Sequence, residues 1–321
     1  MAGPTQAASD AAPGVVAPEP EISGGFFDRL SARTGMSKAS LSAGILLPLL
    51  AIVVIVATIG IAPTDQRSTI FFASLIAFAA GLSSTAIGVY GGVLVPGLLL
   101  VPGIDARFAA ALSLFMQVLV IPLAAGSHYK MGNFSRKVAL PLVIGGMIGA
   151  FIGPFFAAAL PKDVIARLVA AMIVFVGIIV LATLNFKGLG TVRAEDDVPN
   201  ARVGGIGLTA GFASGISGAG WGPIGVKLLI LTRIDPKKAI GSSLFARIFM
   251  AASAVIGYML AATAFQGVNP NWWIVIPIFV ASVAPMIPGS MLVSHLGRER
   301  ATIAITVLSI SLALPTLIWG H

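Results

Sequence analysis

Two basic residues stand in apolar sequence where a membrane helix ordinarily carries none. Lys227 follows the Gly-Pro pair of "GAGWGPIG", residues 218–225, by four positions, and Arg247 lies about two turns into the next apolar run. Ionisable groups inside a membrane are costly and usually face a cavity or a partner. Lys227 could instead snorkel to the cytoplasmic headgroups, and Arg247 could pair with Asp235 or a helix carbonyl.

The glycines beside these charges suggest what they would bind. Glycine permits tight turns and lets backbone N–H groups face a ligand. Two half-helix N-termini that point at one another from opposite leaflets would add partial positive charge, which suits an anion. The alternative is that the glycines only allow close helix packing, as small residues do in membranes.

The composition is that of an integral membrane protein. Hydrophobic residues form 57% and charged residues 10% of the chain, against roughly 45–50% and 25% in soluble domains. The net charge of +8 is interpreted as the Lys/Arg excess that orients a membrane protein, and no nucleic-acid partner is expected. No cysteine is present, which excludes disulfide and thiolate chemistry.

Several apolar runs approach or exceed the roughly 20 residues that a helix needs to cross a bilayer. The predicted full spans, about seven, are 41–62, 106–126, 138–160, 164–185, 239–264, 272–293 and 301–319. Two other apolar regions, 69–103 and 203–234, are broken near their middle by "GVYGGVLVP" and "GAGWGPIG". As continuous helices these two would be about 50 Å long, too long for one crossing.

The broken regions belong to an internal duplication. Aligning 79–119 with 209–249, an offset of 130 without gaps, gives 13 identities in 41 positions. Paired Gly, Ser and Asp residues are among the identities, and shared apolar composition does not explain those. Gln117 is the counterpart of Arg247, and Gly97 is the counterpart of Lys227.

Loop charges favour re-entrant hairpins over single crossings. If each broken segment leaves on the side that it entered, the cytoplasmic side receives 15 of the 20 Lys and Arg residues. Single crossings would move the 130–137 and 187–202 clusters outside and weaken this bias. Each repeat then has an odd number of crossings, so the halves are inverted. Paired Gly/Pro-interrupted segments in two halves are typical of transporters with a site at the midplane.

The sequence therefore predicts an all-α polytopic membrane protein with about seven full spans, two re-entrant Gly-Pro hairpins and two inverted repeats. Its organisation is a disordered or interfacial cytoplasmic tail (1–40), an extra N-terminal helix (41–62), repeat 1 (69–185) and repeat 2 (203–319). The tail is Ala/Pro/Gly-rich and lacks the apolar core of a secretory signal.

The candidate substrate-binding residues lie at the hairpins and on the helix that follows each of them. The serines would offer hydroxyl donors to an oxyanion, although a serine in a membrane helix often serves packing. The candidates are Gly88, Gly91, Gly92, Gly218, Gly220, Trp221, Gly222, Lys227, Arg247, Ser84, Ser214, Ser217 and Gln117.

The acidic residues next to the spans are interpreted as structural. Asp105 and Asp235 occupy the same place in each repeat, just before a span, and are interpreted as helix N-caps. The predicted spans contain no HExxH motif, paired carboxylates or Ser-His-acid set, so no enzyme, metal or cofactor is expected. Trp272 and Trp273 are expected to mark the outer membrane boundary.

A Gly-rich turn followed by Val-Pro at 88–96, repeated as "GAGWGPIG…DPKKAIGSSLFAR", resembles the TauE/SafE sulfite exporter family, also called the toluene-sulfonate uptake permeases. The resemblance covers about residues 69–319. It implies a secondary transporter of the bacterial inner membrane that moves sulfite, sulfonates, sulfoacetate-like or related organosulfur anions. Its motif positions are Gly88, Gly91, Gly92, Pro96, Gly218, Gly220, Gly222 and Pro223.

The functional hypothesis is transport of such an anion by alternating access, with the N-terminus in the cytoplasm and lipid around the spans. A passive anion channel and a transporter of another small carboxylate or oxyanion are the alternatives. A proton or sodium ion could be the coupling ion, and a homodimer is one alternative for the oligomeric state. Transport direction is left open.

Overall fold

The described helices follow the apolar runs of the sequence. The structure is a computed structural model and describes residues 37–184, 198–220, 222–265, 271–285 and 298–320. The chain divides into two compact units, Met1–Ser42 and Ala43–His321. The architecture below concerns the second unit.

The described part of the chain is helical and contains no strand. Short 3-10 turns, Thr64–Gln66 and Trp272–Ile274, precede α2 and α10. The helices are α1 (Lys38–Ile61), α2 (Arg67–Ile87), α3 (Gly91–Leu99), α4 (Ala106–Lys130), α5 (Arg136–Ala159), α6 (Lys162–Ala182), α7 (Asn200–Ser217), α8 (Gly222–Leu231), α9 (Pro236–Phe265), α10 (Val275–Val283) and α11 (Arg298–Trp319).

Six described helices are long and apolar enough to cross a membrane. Five of them, α1, α5, α6, α9 and α11, coincide with predicted spans. The sixth, Thr64–Thr85, lies in the first broken region, so the first arm of that region is long enough to cross by itself. The predicted spans at 106–126 and 272–293 appear as shorter apolar stretches, Ala106–Pro122 and Trp272–Val283, and residues 286–293 lie outside the described ranges. The polytopic all-α class is confirmed.

Each broken region folds back on itself as a helical hairpin. In hairpin 1 (α2 and α3), a Cβ at Gly97 would contact Cγ2 of Ile76. In hairpin 2 (α7 and α8), a Cβ at Gly225 would stand 3.7 Å from Cβ of Ala210. The arms are unequal, with 21 and 9 residues in hairpin 1 and 18 and 10 residues in hairpin 2.

Both hairpins turn in the same way. Gly88 (φ 76°) and Gly218 (φ 61°) end the long arms in the left-handed conformation, which glycine adopts without a Cβ penalty. Their N–H groups donate to the carbonyls of Ser84 (2.9 Å) and Ser214 (2.8 Å). Gly88 and Gly218, and likewise Ser84 and Ser214, are equivalent positions at the offset of 130. The duplication in the sequence is therefore also a duplication of backbone geometry.

The predicted N-caps are confirmed in both halves. Oδ1 of Asp105 accepts from the N–H of Arg107 at 2.8 Å, at the start of α4. Oδ1 of Asp235 accepts from the N–H groups of Lys237 and Lys238 at 2.9 and 3.1 Å, at the start of α9. Each carboxylate thereby satisfies amide donors that the first helical turn leaves open.

Four loops lie together at one end of the molecule, which we call end A. Nδ2 of Asn271 donates to Oε1 of Gln66 at 2.7 Å, which joins the loops before α2 and α10. Nη2 of Arg107 donates to the carbonyl of Leu160 at 3.4 Å, which joins the start of α4 to the end of α5. The loops of end A are 62–66, 100–105, 160–161 and 271–274.

The opposite end, called end B, contains the loop 131–135 and the start of α9. The N–H of Ser135 donates to Oγ of Ser242 at 3.0 Å. A Cβ at Gly241 would contact the carbonyl oxygen of Asn133, so the loop and the helix are in direct backbone contact.

The two hairpins open toward opposite ends. At end A, residues 101–103 follow the short arm of hairpin 1, and Ser68 and Thr69 lie where its long arm begins. Both groups line a cavity of about 340 Å³. The short arm of hairpin 2 runs toward end B, since Lys227 on this arm donates to the carbonyl of Val180 near the end of α6, and α6 begins at end A. This geometry agrees with the predicted inversion.

Candidate functional site

The turns of the two hairpins meet inside the molecule. We call residues 88–92 tip 1 and residues 218–222 tip 2. A Cβ at Gly91 would stand 2.8 Å from Cα of Ala219, and its nearest atom would be the carbonyl oxygen of Gly218. A Cβ at Gly218 would contact Cα of Ala110 on α4. The tips touch through backbone atoms, so glycine is required at both positions.

Arg247 and Gln117 hold the two tips in a crossed arrangement. Nη1 of Arg247, on α9, donates to the carbonyl of Gly88 in tip 1 at 3.2 Å. Nε2 of Gln117, on α4, donates to the carbonyl of Gly218 in tip 2 at 3.1 Å. The offset of 130 relates these two bonds, and each of them joins one half of the chain to the other.

The two side chains also bond to each other, since Nη2 of Arg247 donates to Oε1 of Gln117 at 2.9 Å. Both residues lie about three turns from the start of their helices, which begin at opposite ends of the molecule. The pair therefore lies near the middle of the molecule. Ser113 adds a further bond to tip 2, from its Oγ to the carbonyl of Gly218 at 2.7 Å.

The guanidinium of Arg247 has neutral partners, a carbonyl and a side-chain amide. Among the described residues, the ion pairs found involve Asp105 with Arg107 and with Lys162, near end A. Arg247 thus forms no ion pair with a described carboxylate. A cation in such a position retains its charge for an anionic ligand.

A small cavity lies against the tips. Its volume is about 30 Å³, room for one or two water molecules. The tips contribute Val89, Gly92, Ala219 and Gly220, and the other walls come from α6, α11 and Ser217. A methyl group at Gly220 would stand 3.1 Å from Nη2 of Arg247, so this glycine leaves the guanidinium close to the cavity.

The predicted serines divide into capping and cavity residues. Ser84 and Ser214 accept the Gly88 and Gly218 N–H groups with their carbonyls. Ser217 lines the cavity, and its Oγ donates to the carbonyl of Ala213 at 2.8 Å while accepting from the N–H of Ala219 at 3.2 Å.

Lys227 lies away from the tips. Its ammonium donates to the carbonyl of Val180 at 3.4 Å and to the hydroxyl of Thr183 at the end of α6. A cation is favoured at a helix C-terminus, where carbonyls are unpaired. Val180 also lines the cavity, so Lys227 is located between the cavity and end B.

The structure thus brings most predicted residues together. Tip residues Gly88, Gly91, Gly92, Gly218 and Gly220 lie with Arg247, Gln117 and Ser217 around one centre. Gly222 begins α8 at the same place, and Trp221 lies outside the described residues.

Two hydroxyl residues on α11 were not predicted. Thr306 and Ser309 line the cavity. A Cβ added at Gly92 would stand 3.9 Å from Oγ of Ser309. Their spacing of three places both on one face of the helix. Polar residues at helical spacing in an apolar span are a signal that could have identified them.

Comparisons with known proteins find similarity to membrane transporters. The family profile described as sulfite exporter TauE/SafE matches residues 72–315. The probable membrane transporter protein YtnM of Bacillus subtilis (strain 168) is 31% identical over 210 residues, 64% of this chain and 69% of the relative. A second from that strain, YdhB, is 28% identical over 190 residues, 58% of this chain and 77% of the relative.

A probable membrane transporter protein of Haemophilus influenzae is 26% identical over 195 residues, 58% of this chain and 72% of the relative. No solved structure matches the chain significantly. Since the matched region contains both tips and the Arg247–Gln117 pair, and extends over most of the helical fold, the chain belongs to the TauE/SafE sulfite exporter family of membrane transporters.

Proposed function

We propose that the protein is a secondary transporter that moves organosulfur anions, such as sulfite, sulfonates or sulfoacetate-like compounds, across the bacterial inner membrane by alternating access. The observation that carries the proposal is the meeting of two oppositely directed hairpin tips at a guanidinium with neutral partners. The short arms α3 and α8 begin at the tips, so their N-terminal dipoles add positive potential where the anion would bind.

The anion's direct partners in this proposal are the predicted tip residues and Arg247, with Ser217, Thr306 and Ser309 as hydroxyl donors. The cavity of about 30 Å³ has room for one or two water molecules, so in this proposal the tips and α11 separate to admit a larger anion such as a sulfonate. Repeat 1 (69–185) and repeat 2 (203–319) would supply the two inverted halves that open in turn.

Charge distribution supports an orientation with end B in the cytoplasm. Gly320, just after α11, lies against Arg167 near the start of α6, so α11 ends at end A and begins at end B. End B carries nine of the described Lys and Arg residues of the second unit: Lys130, Arg136, Lys137, Arg202, Arg233, Lys237, Lys238, Arg298 and Arg300. End A carries four, namely Arg67, Arg107, Lys162 and Arg167. The positive-inside rule then assigns end B to the cytoplasm, and in this proposal the N-terminus is cytoplasmic as well.

A passive anion channel is the alternative mechanism, and it needs a continuous pore. Reconstituted protein distinguishes the two. We expect uptake of labelled sulfite, taurine or an aryl sulfonate into proteoliposomes to saturate, and unlabelled anion inside the vesicles to drive counterflow. Linear uptake without counterflow would favour the channel. Imposed proton and sodium gradients in the same vesicles identify the coupling ion.

The substrate is identified by ligand-dependent stabilisation. An anion that binds the folded state and not the unfolded state raises the apparent melting temperature, and the rise increases with the ratio of its concentration to its Kd. We expect at least one organosulfur anion among sulfite, sulfoacetate, taurine and aryl sulfonates to do so, with chloride at equal ionic strength as the control. A shift with small carboxylates alone would point to the other oxyanion class.

A further inference from the structure

Gln117 bonds to tip 2 and to the Arg247 guanidinium at the same time. Its Oε1 accepts from Arg247 at 2.9 Å, and its Nε2 donates to the carbonyl of Gly218 at 3.1 Å. The side chain is buried, with 2% of its surface exposed. An amide carries both an acceptor and donors, so a single neutral group fixes the guanidinium and tip 2 together.

The neutrality of Gln117 has an electrostatic consequence. A glutamate could also accept from Arg247, but it would cancel the positive charge. Buried cations in proteins are usually paired with a carboxylate, and the hydrogen-bond partners of Arg247 are both neutral. The site therefore positions the cation without neutralising it.

The pair is also symmetric in position. Gln117 and Arg247 are equivalent residues of the two repeats, related by the offset of 130. Each bonds to the tip glycine of the other half, and they bond to one another. Groups that contact their own repeat equivalents lie at the axis that relates the repeats, so the charge stands where both hairpins can reach it.

We propose that Gln117 is the positioning residue of the anion site. It holds the Arg247 guanidinium at the axis between the repeats and leaves its charge uncompensated, so that the bound anion is the counter-charge. The inference rests on the proposed function, because it needs an anion as substrate. It also means that the positive charge can be supplied from either of the two equivalent positions.

The first test is Gln117→Glu, which retains an acceptor for Arg247 but supplies a fixed negative charge. We expect anion affinity to fall roughly tenfold to hundredfold, as when a charged hydrogen bond is lost. The melting temperature without anion should fall less than in Gln117→Met, because the new ion pair with Arg247 offsets part of the lost hydrogen bond from Nε2 to the carbonyl of Gly218. Gln117→Met, of similar size and uncharged, should lose stability and retain more affinity than Gln117→Glu. If Gln117→Glu is folded and binds the anion like the wild type, the proposal is wrong.

The second test exchanges the pair and does not depend on a buried carboxylate. Arg247→Gln should lose affinity roughly tenfold or more, and the double variant Gln117→Arg/Arg247→Gln should recover most of that loss. A folded double variant as weak as Arg247→Gln would overturn the placement of the charge at the axis.

Failure of the inference and failure of the proposed function give different results. In both tests the probe is the anion that stabilises the wild-type protein most in the panel above. If no anion in that panel binds the wild type, the proposed function is wrong. If the wild type binds and the variants do not follow the expected order, the positioning role of Gln117 is wrong.

Discussion

The two intramembrane cations have different surroundings. Arg247 bonds to tip 1 and to Gln117 near the middle of the molecule. Lys227 bonds to the end of α6, between the cavity and end B. We infer that Arg247 contacts the bound anion, and that Lys227 attracts the anion along its path to the cavity.

Lys227→Gln should therefore lower mainly the initial uptake rate, whereas Arg247→Gln should lower mainly the affinity for the anion. For Lys227→Gln we expect the initial uptake rate at low ionic strength to fall roughly two- to tenfold, because steering by a charge raises local anion concentration. Its affinity should change less than that of Arg247→Gln. Initial rates and affinities are measured in the same proteoliposomes.

High salt provides the control, because it screens exposed charges. The rate difference between Lys227→Gln and the wild type should shrink as ionic strength rises. If Lys227→Gln loses as much affinity as Arg247→Gln at every salt concentration, Lys227 contacts the bound anion directly.

At the scale of elements, the halves are packed across the repeat boundary. Helix α5 of the first half lies against α7 of the second through glycine-to-backbone contacts. A Cβ at Gly149 or Gly211 would contact the carbonyl oxygen of Leu208 or Gly146, respectively. Oγ of Ser253, on α9, donates to the carbonyl of Met147 at 2.9 Å. Hairpin 2 is thus supported by a helix of the other repeat.

Gly211→Ala should destabilise the protein, because the added methyl group would force α5 and α7 apart. Overpacking of this kind costs about 1–3 kcal/mol. The matched control is Gly205→Ala in the same helix, where a Cβ would meet nothing within 4 Å. The control should be neutral or more stable by up to about 1 kcal/mol. Apparent melting temperatures in detergent measure both, and equal effects would contradict the packing argument.

At the scale of the whole molecule, the inverted hairpins and the charge asymmetry make one prediction about orientation. Hairpin 1 opens at end A and hairpin 2 at end B. The basic loops of end B belong in the cytoplasm if the positive-inside rule holds. Hairpin 1 would then enter from the outside and hairpin 2 from the cytoplasm.

Labelling of single cysteines tests this orientation, and the natural chain contributes no background because it has no cysteine. Thr64→Cys places a thiol at end A and Met131→Cys places one at end B, where Met131 is 61% exposed. A membrane-impermeant maleimide should label Thr64→Cys in intact cells and Met131→Cys after permeabilisation. The reverse pattern would mean that end B faces outward.

Several features of this protein follow from sequence alone. Long apolar runs can satisfy backbone polar groups in a membrane by forming helices, so composition predicts the polytopic all-α class. The offset of 130 identified the duplication, and the paired glycines and aspartates predicted the turns and N-caps. These are local properties, since a left-handed turn or a cap depends on a few neighbouring residues.

The contacts across the site required the tertiary structure. Sequence places Gln117 and Arg247 at equivalent positions but does not show that they bond to each other and to the opposite tips. It also does not distinguish Lys227 at the end of α6 from a lysine at the tips, or bring Thr306 and Ser309 to the cavity. Such contacts join residues more than 100 positions apart, and helix packing in three dimensions determines which of them meet.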